Sequence, residues 1–366
     1  MKESVKNILT AVLFAAFIAV GALAALLLPD ADFSESERRK LEQFPEITWK
    51  SVLDTSAMSK FETYTLDQFP LRDGFRQLKA LFHYHILRQK DNNGIYLTDG
   101  TAAQLEYPLD EASVDHALEI FRGIYESYLQ ESQVYLAVVP DKGYYLAAER
   151  GYPAMNYQRL VEKMETSMEY ASYVNLTDCL TAEDYYRTDT HWRQERLLPA
   201  ARRLCENLGI PAPESGDYRT TAAERPFYGV YYGQAALPME PDQLVMLESD
   251  LLRGCQVYNY ETGTYGPIYD PEKLEGKDLY EVFLSGSVSL LTIENPEADT
   301  DRELIVFRDS FGSAMAPLLV QGYRTVTLVD VRYVSSKMLD RFLDFHGQDV
   351  LFLYSTLVLN NSAALK

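Results

Sequence analysis

The sequence predicts an α/β fold in three layers, with a mostly parallel β-sheet between two layers of helices. From about residue 113, helical segments alternate with short apolar segments, an order typical of βαβ units. The apolar segments are continuous runs of β-branched and leucine residues rather than alternating ones, as in strands that are buried on both faces of a sheet.

The predicted elements follow one another along the chain. Helices are expected over residues 114–130 and 157–170, after "TDTHW" up to about residue 209, from about residue 312, and over residues 336–345. The predicted strands are "VYLAVVP" (134–140), "YVNL" (173–176), "LIVF" (304–307), "TVTLVDV" (325–331) and "VLFLY" (350–354).

Three regions are predicted from these patterns. Residues 1–30 form an N-terminal membrane anchor or a signal peptide. Residues 31–112 form a juxtamembrane connector and a helical entry region, with helix expected over 54–90. Residues 113–366 form the α/β domain. A segment rich in Gly, Pro and Tyr at about 211–275 interrupts it as an irregular insertion, either a flap over the site or a surface excursion.

The N-terminal segment "ILTAVLFAAFIAVGALAALLL" (8–28) contains no charged residue. At 1.5 Å per residue it matches a hydrocarbon core about 30 Å thick. It is longer than the apolar region of a typical signal peptide, which favours an uncleaved single-pass anchor.

Charge and cysteine content exclude several classes of function. The formal net charge is −20, so no basic surface is available for a nucleic-acid backbone. A neutral polysaccharide, a small molecule or another protein remains open as a partner. The three cysteines (Cys179, Cys205 and Cys255) are widely spaced, which indicates neither a zinc cluster nor a disulfide framework. We expect no metal site and no cofactor.

Ser310 is the first candidate for chemistry. It follows the apolar strand "LIVF" and precedes a glycine-containing helix start, the position at which a strand-to-helix turn exposes a nucleophile. The alternative is that Asp309 or Ser310 only caps the helix.

Asp189 and His191 form the second candidate. Two residues apart in an extended segment, they lie on one face, where a carboxylate can orient an imidazole. The alternative is a helix start in which Asp189 or Thr190 is the cap and Trp192 packs inward. Because both candidates lie at strand-to-helix junctions of one α/β sheet, they belong at its C-terminal edge, and a Ser310–His191–Asp189 triad is geometrically reachable.

These residues carry a resemblance to a known family. Asp189-Thr190-His191-Trp192, followed by Arg308-Asp309-Ser310-Phe311, resembles the DHHW-motif family of bacterial surface proteins, which is related to the alginate O-acetylation proteins AlgJ and AlgX. The order of further segments supports it: "FSESERRKLEQFP", "FETYTLDQFPLRDGF", "VVPDK", "FYGVYYGQ" and "VDVRY".

The resemblance implies a permuted SGNH-hydrolase-like (flavodoxin-like) domain outside the cytoplasm, attached to the cell membrane by a single-pass helix. It implies O-acetylation of a cell-surface or secreted polysaccharide, with a membrane-bound O-acyltransferase as the acetyl-donor partner. Ser310 would be the nucleophile, His191 the base and Asp189 its orienter. Thr190 stands where the family name has a histidine.

The resemblance also implies an oxyanion hole. Gly286 and Ser287 occupy the block where relatives often carry Gly-Asn, and the Ser287 hydroxyl would replace the amide donor. Supporting residues are expected around the triad: Trp192 packs, and Arg308 and Asp309 pair or cap beside the nucleophile. Lys142 either neutralises charge near the site or is a solvated loop lysine.

Two other functions remain open at this point. The same triad makes an SGNH-type carbohydrate esterase if water reaches the acyl-enzyme. The departure at Ser287 also keeps open a catalytically inactive glycan-binding or scaffold component of a polysaccharide export complex.

Overall fold

The computed structural model describes residues 3–34, 36–37 and 39–366. The chain divides into two compact units. The N-terminal unit comprises the chain up to Asn93 together with Tyr232–Pro238, and the α/β unit comprises Gly94–Tyr231 and Met239–Lys366. The described part leaves out two residues of the predicted anchor and two of the predicted connector: Met1, Lys2, Glu35 and Arg38.

The N-terminal unit begins with helix α1 (Glu3–Leu27), which is long and apolar enough either to span a membrane or to act as a signal sequence. A short hairpin follows, and then three helices, the last of which continues as a π-helical turn (Phe82–Ile86). These elements are β1 (Phe33–Ser34), β2 (Arg39–Lys40), α2 (Trp49–Leu53), α3 (Ser56–Asp67) and α4 (Arg72–Leu81).

The helix predicted over residues 54–90 is broken between α3 and α4. Pro70 lies in the break, and it can neither donate a backbone hydrogen bond nor leave the preceding residue in a helical conformation. Leu71 then adopts a left-handed conformation, with φ of 58°, before α4 begins.

The α/β unit contains a hairpin, a second antiparallel pair and a central sheet. The hairpin is β3 (Ile95–Thr98) with β4 (Thr101–Gln104), and the second pair is β7 (Arg219–Ala222) with β8 (Val245–Glu248). The other strands are β5 (Val134–Val139), β6 (Ala171–Tyr173), β9 (Gln256–Asn259), β10 (Thr264–Gly266), β11 (Leu290–Glu294), β12 (Glu303–Arg308), β13 (Thr325–Val329) and β14 (Asp349–Ser355).

In the described part of the chain, eight strands form the central sheet, in the order β10-β9-β11-β13-β12-β14-β5-β6. The pairs from β13 to β6 are parallel, and those from β10 to β13 are antiparallel. The α-helices of this unit are α5 (Glu111–Tyr128), α6 (Lys142–Arg150), α7 (Tyr157–Ser167), α8 (Leu198–Leu208), α9 (Val230–Ala235, which continues into the N-terminal unit), α10 (Asp250–Gly254), α11 (Gly312–Met315) and α12 (Thr356–Asn360).

The sheet is buried on both faces, which confirms the predicted three-layer α/β/α fold. Successive residues of a strand point to opposite faces, and β12 illustrates this: Leu304 and Val306 belong to one hydrophobic cluster, and Ile305 and Phe307 to the other. The first cluster includes the apolar side of α8, and the second includes those of α5 and α7.

Several predicted boundaries differ from the structure. Strand β6 ends at Tyr173 rather than continuing to residue 176, and the helices expected after β12 and β13 are only α11 and a 3₁₀ helix, Ser336–Arg341. The unit boundary lies at Asn93 rather than at residue 112, because the β3–β4 hairpin binds the α/β unit: the backbone N–H of Ala102 donates to the carbonyl of Arg187.

The insertion at 211–275 is not irregular throughout. Its strands β9 and β10 extend the central sheet, and Val257 of β9 is buried in the first cluster. Among the cysteines, Cys205 and Cys255 are buried, whereas Cys179 is half-buried.

Candidate active site

Ser310 lies in the tight turn between β12 and α11, at the C-terminal edge of the parallel strands. The Asp309 carboxylate shapes this turn: Oδ1 accepts a hydrogen bond from the N–H of Phe311 at 3.0 Å, and Oδ2 accepts one from the N–H of Ser355, at the end of β14, at 2.8 Å. Gly312 is required here, because a β-carbon at this position would lie 2.7 Å from the Cβ of Arg308. The Ser310 side chain is therefore placed by two neighbouring strand ends.

Asp189 and His191 lie in a loop that is held from within. Tyr185 bridges Trp192 across it, and Asp189 Oδ1 accepts a hydrogen bond from the N–H of His191 at 3.0 Å. Helix α8 begins only at Leu198, and its N-cap residue, Leu197, makes no side-chain capping bond. The alternative in which Asp189 or Thr190 caps this helix is wrong, since a 3₁₀ turn separates the loop from α8.

The structure brings the three candidate side chains together. His191 Nε2 lies 2.8 Å from Ser310 Oγ, and His191 Nδ1 lies 2.6 Å from Asp189 Oδ1. Asp189 is fully buried, whereas Ser310 and His191 are half-buried. With the Asp189 carboxylate accepting the proton of Nδ1, Nε2 is free to accept the hydroxyl proton of Ser310. This arrangement can activate a serine for attack on an acyl carbonyl.

Residues that follow position 226 hold the Asp189 carboxylate through its second oxygen. Asp189 Oδ2 accepts a hydrogen bond from the N–H of Val230 at 2.7 Å. Gly229 packs against the loop so closely that a β-carbon there would lie 2.2 Å from the Cβ of Asp189. Thr188 links the two segments, because its hydroxyl donates to the Asp242 carboxylate at 2.6 Å and accepts from the N–H of Gly229 at 2.8 Å. Part of the insertion thus braces the loop.

Two aromatic residues fix the imidazole and its loop. The ring of Tyr280 stacks on that of His191, with centroids 3.8 Å apart and planes 12° apart. Burial raises the pKa of Tyr280, and its hydroxyl has no hydrogen-bond partner among the described residues. Trp192 is buried, and its indole N–H donates to the carbonyl of Phe311 at 3.1 Å, which ties the histidine loop to the serine turn.

Lys142 is buried and is not a solvated loop lysine. It is the first residue of α6, and its Nζ donates to the carbonyl of Tyr186 at 2.8 Å and lies 4.9 Å from the centre of the Tyr231 ring. Burial lowers its pKa to about 7, although the nearby carboxylates of Asp189 and Asp242 act in the opposite direction. Lys142 therefore supports the backbone that leads into the Asp189 loop.

Arg308 neither pairs with the side chain of Asp309 nor caps a helix. Its guanidinium is buried 3.6 Å from the Asp330 carboxylate, and burial lowers its pKa. Arg332 binds the same carboxylate through two nitrogens, at 2.9 and 2.6 Å. The three side chains form an ion-pair group next to the serine turn, in which Arg308 and Asp330 are buried and Arg332 is half-buried.

The two residues expected to form the oxyanion hole, Gly286 and Ser287, differ in their surroundings. The N–H of Gly286 donates to the carbonyl of Phe283 at 3.3 Å, within a turn where Gly286 has a φ of +83°. Ser287 is exposed, and no hydrogen bond joins it to Ser310 or His191 in the described part of the chain. The backbone N–H of Ser310 makes no hydrogen bond to the described residues, which leaves it available to a developing oxyanion.

Thr190 turns away from the serine. Its Oγ1 lies 3.1 Å from the hydroxyl of Tyr231, which donates to it. Sequence reasoning missed Tyr231, Tyr280 and Asp242 as neighbours of the site. Tyr231 and Asp242 lie in "FYGVYYGQAALPMEPDQL", part of the insertion that we interpreted as either a flap or a surface excursion. Nothing in the sequence marked these two residues, or Tyr280, as neighbours of the site.

A family model supports the resemblance found in the sequence. Residues 156–329 match the family described as DHHW protein, which confirms the family resemblance predicted from the sequence. The matched region includes Asp189, His191 and Ser310. A search of curated proteins found no match.

Solved structures show the same fold. A DHHW family protein from Eubacterium siraeum covers 75% of this chain and 94% of its own, with a TM-score of 0.61 and 23% identity. PatB1 from Bacillus cereus covers 72% and 96%, with a TM-score of 0.60 and 18% identity. The O-acetyltransferase domain of AlgJ from Pseudomonas putida covers 73% and 92%, with a TM-score of 0.46 and 16% identity. The α/β fold with a large, mostly parallel sheet is thus shared with the first two of these structures.

Proposed function

We propose that this chain, whose residues 156–329 match the DHHW protein family, is an O-acetyltransferase that acts outside the cytoplasm on a cell-surface or secreted polysaccharide. One observation carries the proposal: the hydrogen-bonded series from Asp189 through His191 to Ser310, with distances of 2.6 and 2.8 Å. A serine, a histidine and a carboxylate in this order are the components of base-assisted acyl transfer.

In the first half-reaction, Ser310 Oγ attacks the carbonyl carbon of an acetyl donor while its proton passes to His191 Nε2. The tetrahedral oxyanion accepts a hydrogen bond from the N–H of Ser310, with the Ser287 hydroxyl as the second proposed donor. The donor's leaving group departs with the proton from His191. The product is an acetyl ester on Ser310, and Asp189 stabilises the imidazolium formed in between.

In the second half-reaction, a sugar hydroxyl of the polysaccharide attacks the acetyl carbonyl. Its proton passes to His191 Nε2, the bond from the carbonyl carbon to Ser310 Oγ breaks, and the proton returns to Ser310. No metal or cofactor takes part in these steps. The net charge of −20 favours a neutral acceptor over an acidic one.

The length and apolar character of helix α1 support a location at the cell membrane. As an uncleaved single-pass anchor, it would hold the catalytic unit at the outer surface of the cell membrane. The acetyl group would then reach the site from a membrane-bound O-acyltransferase, the partner expected from the family resemblance.

A hydrolase is the second candidate function, and the partial exposure of the site favours it. Ser310 and His191 are half-buried, so water can approach the acyl-enzyme unless the acceptor excludes it. Attack by water at the same carbonyl releases acetate, which would make the protein a carbohydrate esterase.

Both reactions can be tested with the full-length chain purified in detergent. It is incubated with isotopically labelled p-nitrophenyl acetate, with and without neutral oligosaccharides, and mass spectrometry follows the label on Ser310, on sugar and in free acetate. Ser313→Ala serves as the matched control, since Ser313 is buried in α11 and its hydroxyl forms no hydrogen bond with the side chain of His191 or Asp189.

The outcomes separate the candidates. Label on Ser310 and on sugar, lost in Ser310→Ala but not in Ser313→Ala, supports transfer. Label in acetate alone supports the esterase. If the wild-type chain and Ser310→Ala are indistinguishable, both enzymatic functions are excluded, and an inactive glycan-binding or scaffold protein remains.

A further inference from the structure

One side of α4 and of the π-helical turn after it carries large exposed apolar side chains. Leu71, Leu78 and Ile86 are 82%, 63% and 66% exposed, and Phe75 and Phe82 lie between them. These five residues, called the apolar face below, are spaced by three or four positions, which places them on one side of a helix.

The part of α4 that carries Arg72, Arg76 and Ala80 packs into the N-terminal unit. Ala80 is fully buried there, although it is a small residue two positions from Leu78 and Phe82. Arg72 and Arg76 form ion pairs with Glu37. The helix therefore buries a small residue and half-buries two arginines while its large apolar side chains are exposed, the reverse of the pattern expected for a helix on a water-facing surface.

The apolar face is continuous with the membrane helix. A β-carbon at Gly21 of α1 would lie 4.0 Å from Cζ of Phe69, in the turn between α3 and α4. The ring of Phe69 in turn packs edge-on against that of Phe75, with centroids 5.5 Å apart. A series of apolar contacts thus runs from α1 to the apolar face.

The contact with Gly21 determines how deep Phe69 lies along α1. Gly21 lies six residues before the end of α1 at Leu27, which corresponds to about 9 Å along the helix axis. If α1 spans a bilayer, Phe69 is at the level of the hydrocarbon. Helices that lie in a membrane interface bury their apolar side by about 5–10 Å, the same range.

The charge distribution is compatible with a membrane surface. Lys and Arg equal Asp and Glu in number over residues 1–93, so the net charge of −20 comes entirely from the remainder of the chain. The N-terminal unit is therefore not repelled by anionic lipid headgroups as the α/β unit would be.

We infer that the apolar face of α4 lies in the outer interface of the lipid bilayer, so that the N-terminal unit is attached to the membrane at a second point besides α1. The inference rests on the part of the proposed function that makes α1 a membrane span. It does not depend on the acetyl-transfer chemistry.

Quenching by brominated lipids tests this attachment. The full chain is reconstituted in phosphatidylcholine vesicles with or without bromine on the acyl chains. Single tryptophans are introduced as Leu78→Trp on the apolar face, Gln77→Trp on the exposed side next to it, and Phe17→Trp within α1. Exposed Trp49 is replaced by phenylalanine, and buried Trp192 remains as a constant background.

We expect brominated lipid to remove a similar fraction of the emission of Leu78→Trp and Phe17→Trp, and to leave Gln77→Trp unchanged. Loss at Phe17 with none at Leu78 would overturn the inference. No loss at Phe17 would contradict the membrane span itself, and with it the inference, while leaving the acetyl-transfer assay unaffected. Thermal unfolding of each variant verifies that it is folded.

Discussion

At the scale of single residues, the candidate site depends on how the imidazole of His191 is held. Asp189 fixes its Nδ1 side and Tyr280 covers one face of the ring. The phenol hydroxyl of Tyr280 is buried with no partner in the described part of the chain, so the stacking ring rather than the hydroxyl accounts for its place in the site.

This distinction can be tested with two substitutions. Tyr280→Phe keeps the stacked ring and removes the unpaired hydroxyl; we expect unchanged esterase activity and a free energy of unfolding higher by about 1 kcal/mol. Tyr280→Leu removes the stack, and we expect a lower kcat for p-nitrophenyl acetate. Equal activity of the leucine and phenylalanine variants would show that stacking does not position His191.

The sequence predicts Ser310, His191 and Asp189 as one group because their signals are local: a serine after an apolar strand, and two residues in one short loop. Tyr280 and Asp242 lack such a signal. Each reaches the site through tertiary packing from a segment distant in the sequence, and the chain contains many other tyrosines and aspartates with the same composition around them.

At the scale of elements, the contact between Gly229 and the Asp189 loop leaves no space for a side chain. In Gly229→Ala the new β-carbon would lie 2.2 Å from the Cβ of Asp189, so the loop must move. Since a displacement of about 1 Å at a catalytic group can cost on the order of 100-fold in rate, we expect such a loss in kcat/KM for p-nitrophenyl acetate. Gly216→Ala is the matched control, because its β-carbon meets nothing within 4 Å. Equal rates for both variants would refute the bracing role of this segment.

Lys142, at the start of α6, should make the free energy of unfolding depend on pH. Burial lowers the pKa of Lys142 to about 7 from 10.5. Between these values the unfolded chain binds more protons than the folded one, so the contribution of Lys142 to the free energy of unfolding rises with pH, by at most about 1.4 kcal/mol per pH unit. Below pH 7 both states are protonated and this contribution no longer changes.

Lys142→Met lacks that titration. Urea unfolding of the wild type and of Lys142→Met at pH 7 and pH 9 should give a difference, wild type minus variant, that is larger at pH 9. A difference independent of pH would mean that the ammonium is not desolvated as the structure indicates.

The elements themselves were predictable where apolar runs are continuous. Strands β5, β12 and β14 begin and end within one residue of the predicted limits, because burial on both faces leaves an unbroken apolar run. Strands β9, β10 and β11 of the central sheet were missed. Strand β10 is exposed throughout and β9 is apolar only in part, as expected of antiparallel strands at the margin of a sheet, whereas the short buried run of β11 was not assigned to a strand.

At the scale of the whole molecule, the two units differ in chemistry. The N-terminal unit carries the apolar helix α1 and no net charge over residues 1–93, whereas the α/β unit carries the excess of acidic residues and the candidate triad. The boundary at Asn93 could not be located from the sequence. Only contacts with distant residues such as Arg187 show that the β3–β4 hairpin belongs to the α/β unit.

The central claim is that Ser310 is a nucleophile activated by His191. A sulfonyl fluoride is a suitable reagent for testing this claim, because it reacts with activated serine hydroxyls. Such a reagent transfers its sulfonyl group to an activated serine oxygen and releases fluoride, with no need for an acceptor or a natural donor.

The most direct measurement is therefore peptide mass spectrometry of the full chain after treatment with phenylmethylsulfonyl fluoride, in parallel with His191→Ala and Ser313→Ala. We predict a single adduct, on Ser310, in the wild type and in Ser313→Ala, and its loss in His191→Ala. An unmodified Ser310 in the wild type, or equal modification of Ser310 without His191, would contradict the account.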